Sequence, residues 1–167
     1  MFIEKAGELS IELVAEEHTE ELTNELISFW LSEKVIATAS EAQERVKDVT
    51  TIARDSENKI VGVNSFYEDY SALLENHFLH HRSFVSKAHR KSNISVRLTT
   101  VAWEYFNRRF NKGIEKKFIG LITVVQNSNL VKHMTQAIWP YSNYVYIGSE
   151  PNGNHIRVWY FDNAKII

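Results

Sequence analysis

Apolar and polar residues follow two different periods along this chain, and each period predicts a different kind of element. Apolar residues at every second position predict a half-buried strand, whereas apolar residues three and four apart predict an amphipathic helix. The nearly continuous apolar stretch FIGLITVV at residues 118–125 is typical of a strand that is buried on both faces in the middle of a sheet. The whole pattern predicts the order β-α-α-β-β-β-α-β-α-β-β. Strands are predicted at residues 11–15, 50–54, 59–67, 77–86, 118–125, 144–148 and 156–161, and helices at residues 20–30, 41–47, 94–106 and 128–137.

Turn and cap residues separate these elements. Thr19 can cap the first helix, whose opening carboxylates suit the positive end of the helix dipole. Gly113 is a stop signal after the third helix, and Pro140 ends the fourth. Asn152 and Gly153 lie between the last two predicted strands, where an Asn-Gly pair strongly favours a hairpin.

Length and composition restrict the classes to which the protein can belong. The chain has 167 residues, of which 44% are hydrophobic and 24% charged, and this suits one globular domain over residues 1–167. The absence of cysteine excludes disulfides, thiolate zinc sites and a cysteine nucleophile. The net charge of −2 gives no clear signal for nucleic acid, and no apolar run reaches the ~20 residues of a membrane helix. We therefore expect a cytoplasmic protein with no membrane partner.

A motif lies between the fourth predicted strand and the third predicted helix, where residues 85–95 read VSKAHRKSNIS. It resembles the V-x-P-x-x-R-G-x-G-I-G motif of the GNAT superfamily of N-acetyltransferases, with which Val85, Arg90 and Ile94 agree in identity. The predicted element order is also similar to that of the GNAT fold over nearly the whole chain. The resemblance implies an α/β (α+β) fold with a mixed, mostly antiparallel central sheet of six to seven strands, flanked by about four helices.

A loop that opens a helix offers unpaired backbone N–H groups to an anion, and the helix dipole favours negative charge there. In the GNAT superfamily this loop holds the pyrophosphate of acyl-CoA, so the resemblance implies acetyl-CoA or another acyl-CoA as co-substrate. Lys91, Asn93 and Ser95 stand at the glycine positions of the motif. Asparagine is the best replacement for a glycine in the left-handed conformation, and Lys91 adds positive charge. The implied cofactor-binding residues are Phe84, Val85, Lys87, Arg90, Lys91, Ser92, Asn93, Ile94, Ser95 and Asn127.

A second GNAT signature, roughly N-x-x-A-x-x-x-Y-x-x-x-G-F, is matched from Asn127 onwards by the asparagine and by a later aromatic residue. Met134 stands where the family has the tyrosine that protonates the leaving thiolate, and a thioether cannot donate a proton. Asn127 has two interpretations: it bonds the pantetheine arm of the cofactor, or it caps the following helix. We favour the cap.

Acyl transfer to an amine uses a base for the amine and an acid for the thiolate. Glu75 and His77, at the entrance of the strand before the loop, are the candidate bases, although a solvated Glu and His also fit that position. Tyr141 and Tyr144 follow the last helix and are candidates for the missing acid, or they line a sheet face. His77 and His81 share a strand face, but no third ligand is evident, so no metal site is predicted.

Two functions of different classes fit these residues. The first is an acyl-CoA-dependent N-acyltransferase that transfers an acetyl group to an amine by direct attack on the thioester. The second is a catalytically inactive GNAT-fold binding or regulatory module. The acceptor amine is open between a small molecule and a protein, and the edge of the last hairpin could pair two chains in a homodimer.

Overall fold

A computed structural model describes residues 2–6, 9–90 and 93–166 of the chain. These residues form eight strands, four α-helices and one 3₁₀ helix, Lys87–His89. The strands are β1 (Phe2–Ala6), β2 (Leu9–Leu13), β3 (Val49–Arg54), β4 (Ile60–Ser71), β5 (Asn76–Val85), β6 (Gly120–Val125), β7 (Val145–Ser149) and β8 (His155–Tyr160). The helices are α1 (Glu20–Ser32), α2 (Ala39–Val46), α3 (Ile94–Asn111) and α4 (Ser128–His133). The predicted element order is confirmed, and β1 is an additional strand ahead of it.

The chain forms two compact units, and β4, β5 and α3 contribute residues to both. The first unit comprises Met1–Phe66 and Arg82–Ala102, and the second comprises Tyr67–His81 and Trp103–Ile167. Strands in both units pair mostly antiparallel, which confirms the predicted α+β class. One domain over the whole chain stays a prediction.

In the first unit the strands follow the order β1-β2-β3-β4, and each neighbouring pair is antiparallel. Successive side chains of a strand point to opposite faces of a sheet, and β3 uses both faces. Ile52 packs with the buried residues of α1 and α2, whereas Ala53 packs with the first turns of α3. Thr19 caps α1 as predicted, because its hydroxyl accepts the Leu22 N–H at 3.2 Å.

In the second unit the strand order is β5-β6-β8-β7. Strands β5 and β6 run parallel, in register at Leu79–Leu121 and His80–Ile122, whereas β6 pairs antiparallel with β8 along all six of its residues. The apolar stretch at residues 118–125 therefore lies between two strands, as its pattern predicts. The predicted hairpin joins β7 to β8, and Gly153 has a φ of 89° in its turn.

Helix α4 ends at His133, four residues before the predicted end at residue 137. Met134, the C-cap residue, has left the helical region, with φ −104° and ψ 66°. The carbonyls of Met134, Gln136 and Ala137 accept hydrogen bonds from the Arg157 guanidinium at 3.2, 3.0 and 3.4 Å. These carbonyls therefore bind the guanidinium of Arg157 instead of the N–H groups of a longer helix.

The segment after α4 also covers part of the outer edge of β7. The Tyr146 N–H donates to the Ala137 carbonyl at 2.7 Å, and the Trp139 N–H donates to the Tyr144 carbonyl at 2.9 Å. An edge covered in this way offers fewer backbone groups to a second chain. The homodimer through this edge stays a prediction, and its pairing would be restricted to the later residues of β7.

Within the described part of the chain, no helix is both long enough and apolar enough to cross a bilayer.

Candidate active site

The loop at residues 86–93 joins β5 to α3 and is fastened at its first residue. The Ser86 N–H donates to the Val61 carbonyl at 2.8 Å, so the loop leaves the sheet only after this bond. The Ser86 hydroxyl lies 2.8 Å from Nδ1 of His89, and the His89 N–H donates to the Ser86 carbonyl at 2.9 Å. These bonds close the 3₁₀ turn that opens the loop.

Arg90 lies back over the end of β5. Its Nε donates to the Val85 carbonyl at 3.1 Å, and its guanidinium carbon is 5.7 Å from the centre of the Phe84 ring. Phe84 in turn packs against Phe29 of α1, with ring centres 5.8 Å apart. The exposed Arg90 is therefore held in place while its charge stays near the surface of the loop.

Asn93 confirms the expectation for a glycine position of the motif, since its φ of 55° is left-handed. It directly precedes α3. Ser95, at another glycine position, places its hydroxyl 2.9 Å from the hydroxyl of Ser83 on β5. Lys91 and Ser92 lie outside the described residues.

The start of α3 is fixed on the strands of the first unit by close packing and by buried hydrogen bonds. A Cβ at Gly62 would lie 3.0 Å from Ile94 and 3.2 Å from Leu98, so the glycine lets the helix approach β4 closely. The Thr51 hydroxyl donates to the Leu98 carbonyl at 3.1 Å. Asn64 donates to the Thr99 hydroxyl at 2.9 Å, and that hydroxyl donates to a backbone carbonyl of the same helix. The helix N-terminus is thus held rigidly behind the loop.

The stretch of sequence that contains this loop carries charged residues of one sign, a feature that the net charge of the chain conceals. Residues 76–103 contain no Asp or Glu, whereas they contain five Lys or Arg residues: Arg82, Lys87, Arg90, Lys91 and Arg97. The net charge of the whole chain does not reveal this segment, whereas a count of charged residues in a sliding window along the sequence would have found it. A cationic loop before a helix N-terminus favours an anionic ligand such as a phosphate.

The second unit contains a cluster of aromatic rings around Tyr144, which is 2% exposed. Trp139 and Trp159 pack against it edge-on, with ring centres 6.1 and 5.7 Å away. Its hydroxyl lies 3.2 Å from Nδ1 of His81. Burial lowers the pKa of His81 to about 3 and raises the pKa of Tyr144, so both groups are neutral at physiological pH.

Arg157 is a buried cation of the same unit, with 1% exposure. Besides its three backbone carbonyls it faces the rings of Trp139, at 4.4 Å, and Tyr146, at 5.6 Å. No described residue gives Arg157 a carboxylate partner, and no described group pairs with its buried Nε. Burial lowers the pKa of Arg157. Sequence reasoning missed this residue, because the carbonyls that hold it are 20 or more residues away along the chain.

The four predicted catalytic residues occupy different settings. Glu75 is exposed, has a φ of 52° and precedes β5, whereas His77 on β5 packs edge-on against Tyr70 at 5.2 Å. Tyr141 is 85% exposed with a φ of 71°, an unusual conformation for a bulky residue. The structure therefore brings only Tyr144 of the four into the aromatic cluster described above. Their catalytic roles stay predictions.

Asn127 caps α4, as the favoured interpretation predicted. Its side-chain oxygen accepts the N–H groups of Asn129 at 3.0 Å and Leu130 at 3.4 Å. Met134 ends the same helix. A role of Asn127 in binding the cofactor stays a prediction.

No group of three or more His, Cys, Asp or Glu residues in the described ranges could hold a metal ion.

Comparison with known proteins gives likeness in fold alone. No protein-family model and no curated protein sequence matches the chain. A ribosomal-protein-S5-alanine acetyltransferase from Vibrio fischeri superimposes with a TM-score of 0.63 at 12% identity, over 99% of this chain and 100% of that chain. An acetyltransferase of the GNAT family from Streptococcus pneumoniae gives 0.61 at 13%, over 92% and 99%. A mutant AtaT toxin, bound to the C-terminus of the antitoxin AtaR and acetyl-CoA, gives 0.56 at 13%, over 94% and 96%.

Proposed function

We propose that this chain, which has the GNAT fold, is an acyl-CoA-dependent N-acyltransferase that transfers an acetyl group to an amine by direct attack on the thioester. The observation that carries the proposal is the loop at residues 86–93. It sets a left-handed Asn93 directly before α3, inside a segment that contains basic but no acidic residues. Such a loop suits the pyrophosphate of acetyl-CoA or another acyl-CoA.

The residues of this loop have distinct proposed tasks. The first N–H groups of α3, from Ile94 and Ser95 onwards, would face the pyrophosphate, because they lack helical acceptors. Arg90 and Lys87 would supply positive charge, and Lys91 and Ser92 belong to the same predicted set. Phe84 and Val85 would form the wall of the cofactor site at the end of β5. The AtaT mutant with bound acetyl-CoA supports this assignment through its similar fold.

The proposed acceptor is an amine, carried either by a small molecule or by a protein. Proteins of similar fold are named a ribosomal-protein-S5-alanine acetyltransferase, a ribosomal L7/L12 alpha-N-protein acetyltransferase and an acetyltransferase of the GNAT family, and these names do not determine the acceptor of this chain. Glu75 and His77 are the proposed bases, and Tyr141 and Tyr144 the proposed acids. Met134 cannot serve as the acid.

A specific observation favours a second candidate, the catalytically inactive binding or regulatory module. The exposed apolar surface around the start of β7 includes Tyr141 at 85%, Ile138 at 56% and Tyr146 at 42% exposure. Exposed apolar side chains gathered in one place often mark a surface for a macromolecular partner. This candidate predicts that the protein catalyses no acetyl transfer.

Calorimetric titration of acetyl-CoA into the protein tests the proposed function, with free CoA as a second ligand and ADP as the nucleotide control. We expect micromolar binding of acetyl-CoA. The Arg90→Ala variant should bind at least about tenfold more weakly, because one charge-assisted contact contributes about 1.5–3 kcal/mol.

Arg45→Ala is the matched control, since Arg45 is an exposed arginine of α2 that forms an ion pair with Glu41. It removes the same charge from the same unit and should leave the affinity unchanged. Absence of binding at millimolar acetyl-CoA would exclude the enzyme and favour the binding module. Equal weakening in both variants would mean that net charge, rather than the loop, controls the affinity.

A further inference from the structure

A groove of about 350 Å³ opens on the surface of the second unit. One wall is the second half of α3, from Trp103 to Asn111, and the other wall is the segment after β8, with Asp162 and Asn163. This volume is at the small end of the range of about 300–1,000 Å³ for sites that bind small molecules. None of the residues that line the groove belongs to the proposed cofactor-binding or catalytic residues, so the proposed function gives it no task.

A chain of hydrogen bonds between asparagine and aspartate side chains joins the two walls. Asn107 donates to the Asp162 carboxylate at 2.8 Å and accepts the Asp162 backbone N–H at 2.8 Å. Asn111 donates to the side-chain oxygen of Asn107 at 3.0 Å, and Asn163 donates to the side-chain oxygen of Asn111 at 2.8 Å. These bonds hold the walls in place before a ligand arrives, which lowers the entropy cost of binding.

Charged groups of both signs stay available in the groove. Glu104 and Arg108 are four residues apart on α3, the spacing at which opposite charges can meet across one turn. Both line the groove, and neither side chain has an ion-pair or hydrogen-bond partner in the described part of the chain. The second oxygen of the Asp162 carboxylate likewise has no partner among the described residues. Two carboxylates and one guanidinium are therefore open to a ligand.

Trp103 adds an aromatic surface to the same groove. Its indole N–H donates to the Tyr160 carbonyl at 3.3 Å. One face of its ring is covered by the ring of Trp159, with centres 4.8 Å apart and planes at 13°. The indole is thus held by its neighbours, and the part that lines the groove can pack against a side chain of a ligand.

We propose that this groove binds a free α-amino acid with an aromatic side chain. The Arg108 guanidinium donates to the carboxylate of the amino acid, for which two parallel hydrogen bonds are the favoured geometry. The carboxylates of Glu104 and Asp162 accept from its ammonium group, and its side chain packs on Trp103. The inference goes beyond the proposed acyl transfer and does not depend on it.

The charges of the groove favour a ligand that carries both signs. Two carboxylates beside a single guanidinium disfavour a phosphate or another multiply charged anion. A simple cation would leave Arg108 without a partner, and a simple anion would leave Glu104 and Asp162 without one. A charged group that loses water and gains no partner weakens binding. The ammonium and carboxylate of an α-amino acid are attached to one carbon, so they can contact neighbouring side chains of opposite charge together.

Titration with L-phenylalanine in the absence of acetyl-CoA tests the proposal, followed by ¹H–¹⁵N NMR of the side-chain amides and indoles. We expect saturable binding with a Kd of about 1 mM or tighter. The signals that shift should be those of the groove: Trp103, Asn107, Asn111 and Asn163. Two further probes each lack one charge, since phenethylamine has no carboxylate and 3-phenylpropionate has no ammonium group. Each should bind at least about tenfold more weakly than L-phenylalanine.

Two substitutions assign the charges of the ligand to their partners. Arg108→Gln should weaken the binding of L-phenylalanine about tenfold and leave that of phenethylamine unchanged, because it removes only the partner of the carboxylate. Glu104→Gln should weaken the binding of L-phenylalanine without weakening that of 3-phenylpropionate. Both side chains are exposed, so both variants should fold. Lys112→Gln is the matched control, since Lys112 is an exposed cation directly after α3 that does not line the groove, and it should leave every affinity unchanged.

Three results would overturn the proposal. The first is an absence of saturation at tens of millimolar L-phenylalanine. The second is an equal affinity for L-phenylalanine and the two probes of single charge, because the groove would then recognise neither group. The third is binding that Arg108→Gln does not weaken, or shifts confined to residues outside the groove, because phenylalanine would then bind elsewhere, for example as an acceptor amine. Each of these results leaves the proposed acyl transfer standing.

Discussion

Arg54 in the first unit and Arg157 in the second are both largely buried cations, and the protein satisfies them in opposite ways. The side chain of Arg54 is 11% exposed and forms hydrogen bonds of 2.5 and 2.8 Å to both oxygens of Glu25 and of 3.2 Å to Glu12. Its pKa is raised, chiefly by the hydrogen bond to Glu25. Arg157 has carbonyls and aromatic rings instead, and burial lowers its pKa.

The different partners of the two arginines indicate different contributions to the fold. An ion pair near the surface contributes modestly, because both partners can return to water. A cation that donates to several backbone carbonyls takes the place of the N–H groups of a helix, since each buried or half-buried carbonyl needs a donor. Arg157 therefore holds the backbone after α4, whereas Arg54 of β3 joins side chains of β2 and α1.

The largest expected effect is that of Arg157→Ala, which should lower the free energy of unfolding by about 3–5 kcal/mol, because it leaves a cavity where a side chain of 1% exposure was and removes the donors of three carbonyls. Urea denaturation of the variant and the wild type measures it. Arg157→Met fills the volume without the donors and should cost less, since it also buries no charge. If Arg157→Ala unfolds with the same free energy as the wild type, the hydrogen bonds of Arg157 to the segment after α4 do not contribute to stability.

The second expected effect concerns the pH dependence of the second unit. The pKa of His81 is 6.5 in the unfolded chain and about 3 in the folded protein. Between these values the unfolded chain binds a proton that the folded protein does not, so the free energy of unfolding falls as the pH falls. Above pH 6.5 the contribution is complete, and lowering the pH from 7 to 5 should remove about 2 kcal/mol.

Urea denaturation at pH 7 and pH 5 measures this loss, and His81→Gln is the reference because glutamine does not titrate. The difference between the two proteins isolates the histidine from the carboxylates that titrate over the same range. An identical pH dependence in both proteins would show that His81 is solvated in the folded state.

The smallest expected effect is that of Arg54→Ala, about 1–2 kcal/mol, because Glu25 is 36% exposed and can regain water while Glu12, at 15%, can do so less. Arg45→Ala on the exposed face of α2 is the control and should cost at most about 0.5 kcal/mol. Chemical denaturation of both variants ranks them. If Arg54→Ala lowers the free energy of unfolding as much as Arg157→Ala does, then carboxylate and carbonyl partners of a buried arginine contribute equally to stability.

Local signals predicted most of the fold, because they act between residues near in sequence. The cap at Thr19, the turn at Gly153 and the left-handed Asn93 each depend on one or two residues, and each is confirmed. The helical pattern of α4 continues past His133 in the sequence, and its true end depends on Arg157. A period of apolar residues contains no information about a cation so far along the chain.

The candidate site divides in the same way. The loop before α3 could be predicted because its residues are consecutive and their chemistry is local. The contact between Tyr144 and His81 joins residues 63 positions apart, and neither residue has a distinctive neighbour. The sequence therefore predicted Tyr144 as one of two candidate acids, but it did not predict that His81 is its hydrogen-bond partner.

The stacked rings of Trp103 and Trp159 lie 4.8 Å apart at 13° to each other, and both belong to the second unit. Two indoles at that separation couple their electronic transitions, which produces a paired positive and negative band in circular dichroism. The coupling falls steeply with distance, so the band vanishes when the rings part by a few ångströms. Trp30, in the first unit, has no such neighbour among the described tryptophans. The circular-dichroism band of this tryptophan pair should therefore report the unfolding of the second unit and should not respond to unfolding of the first.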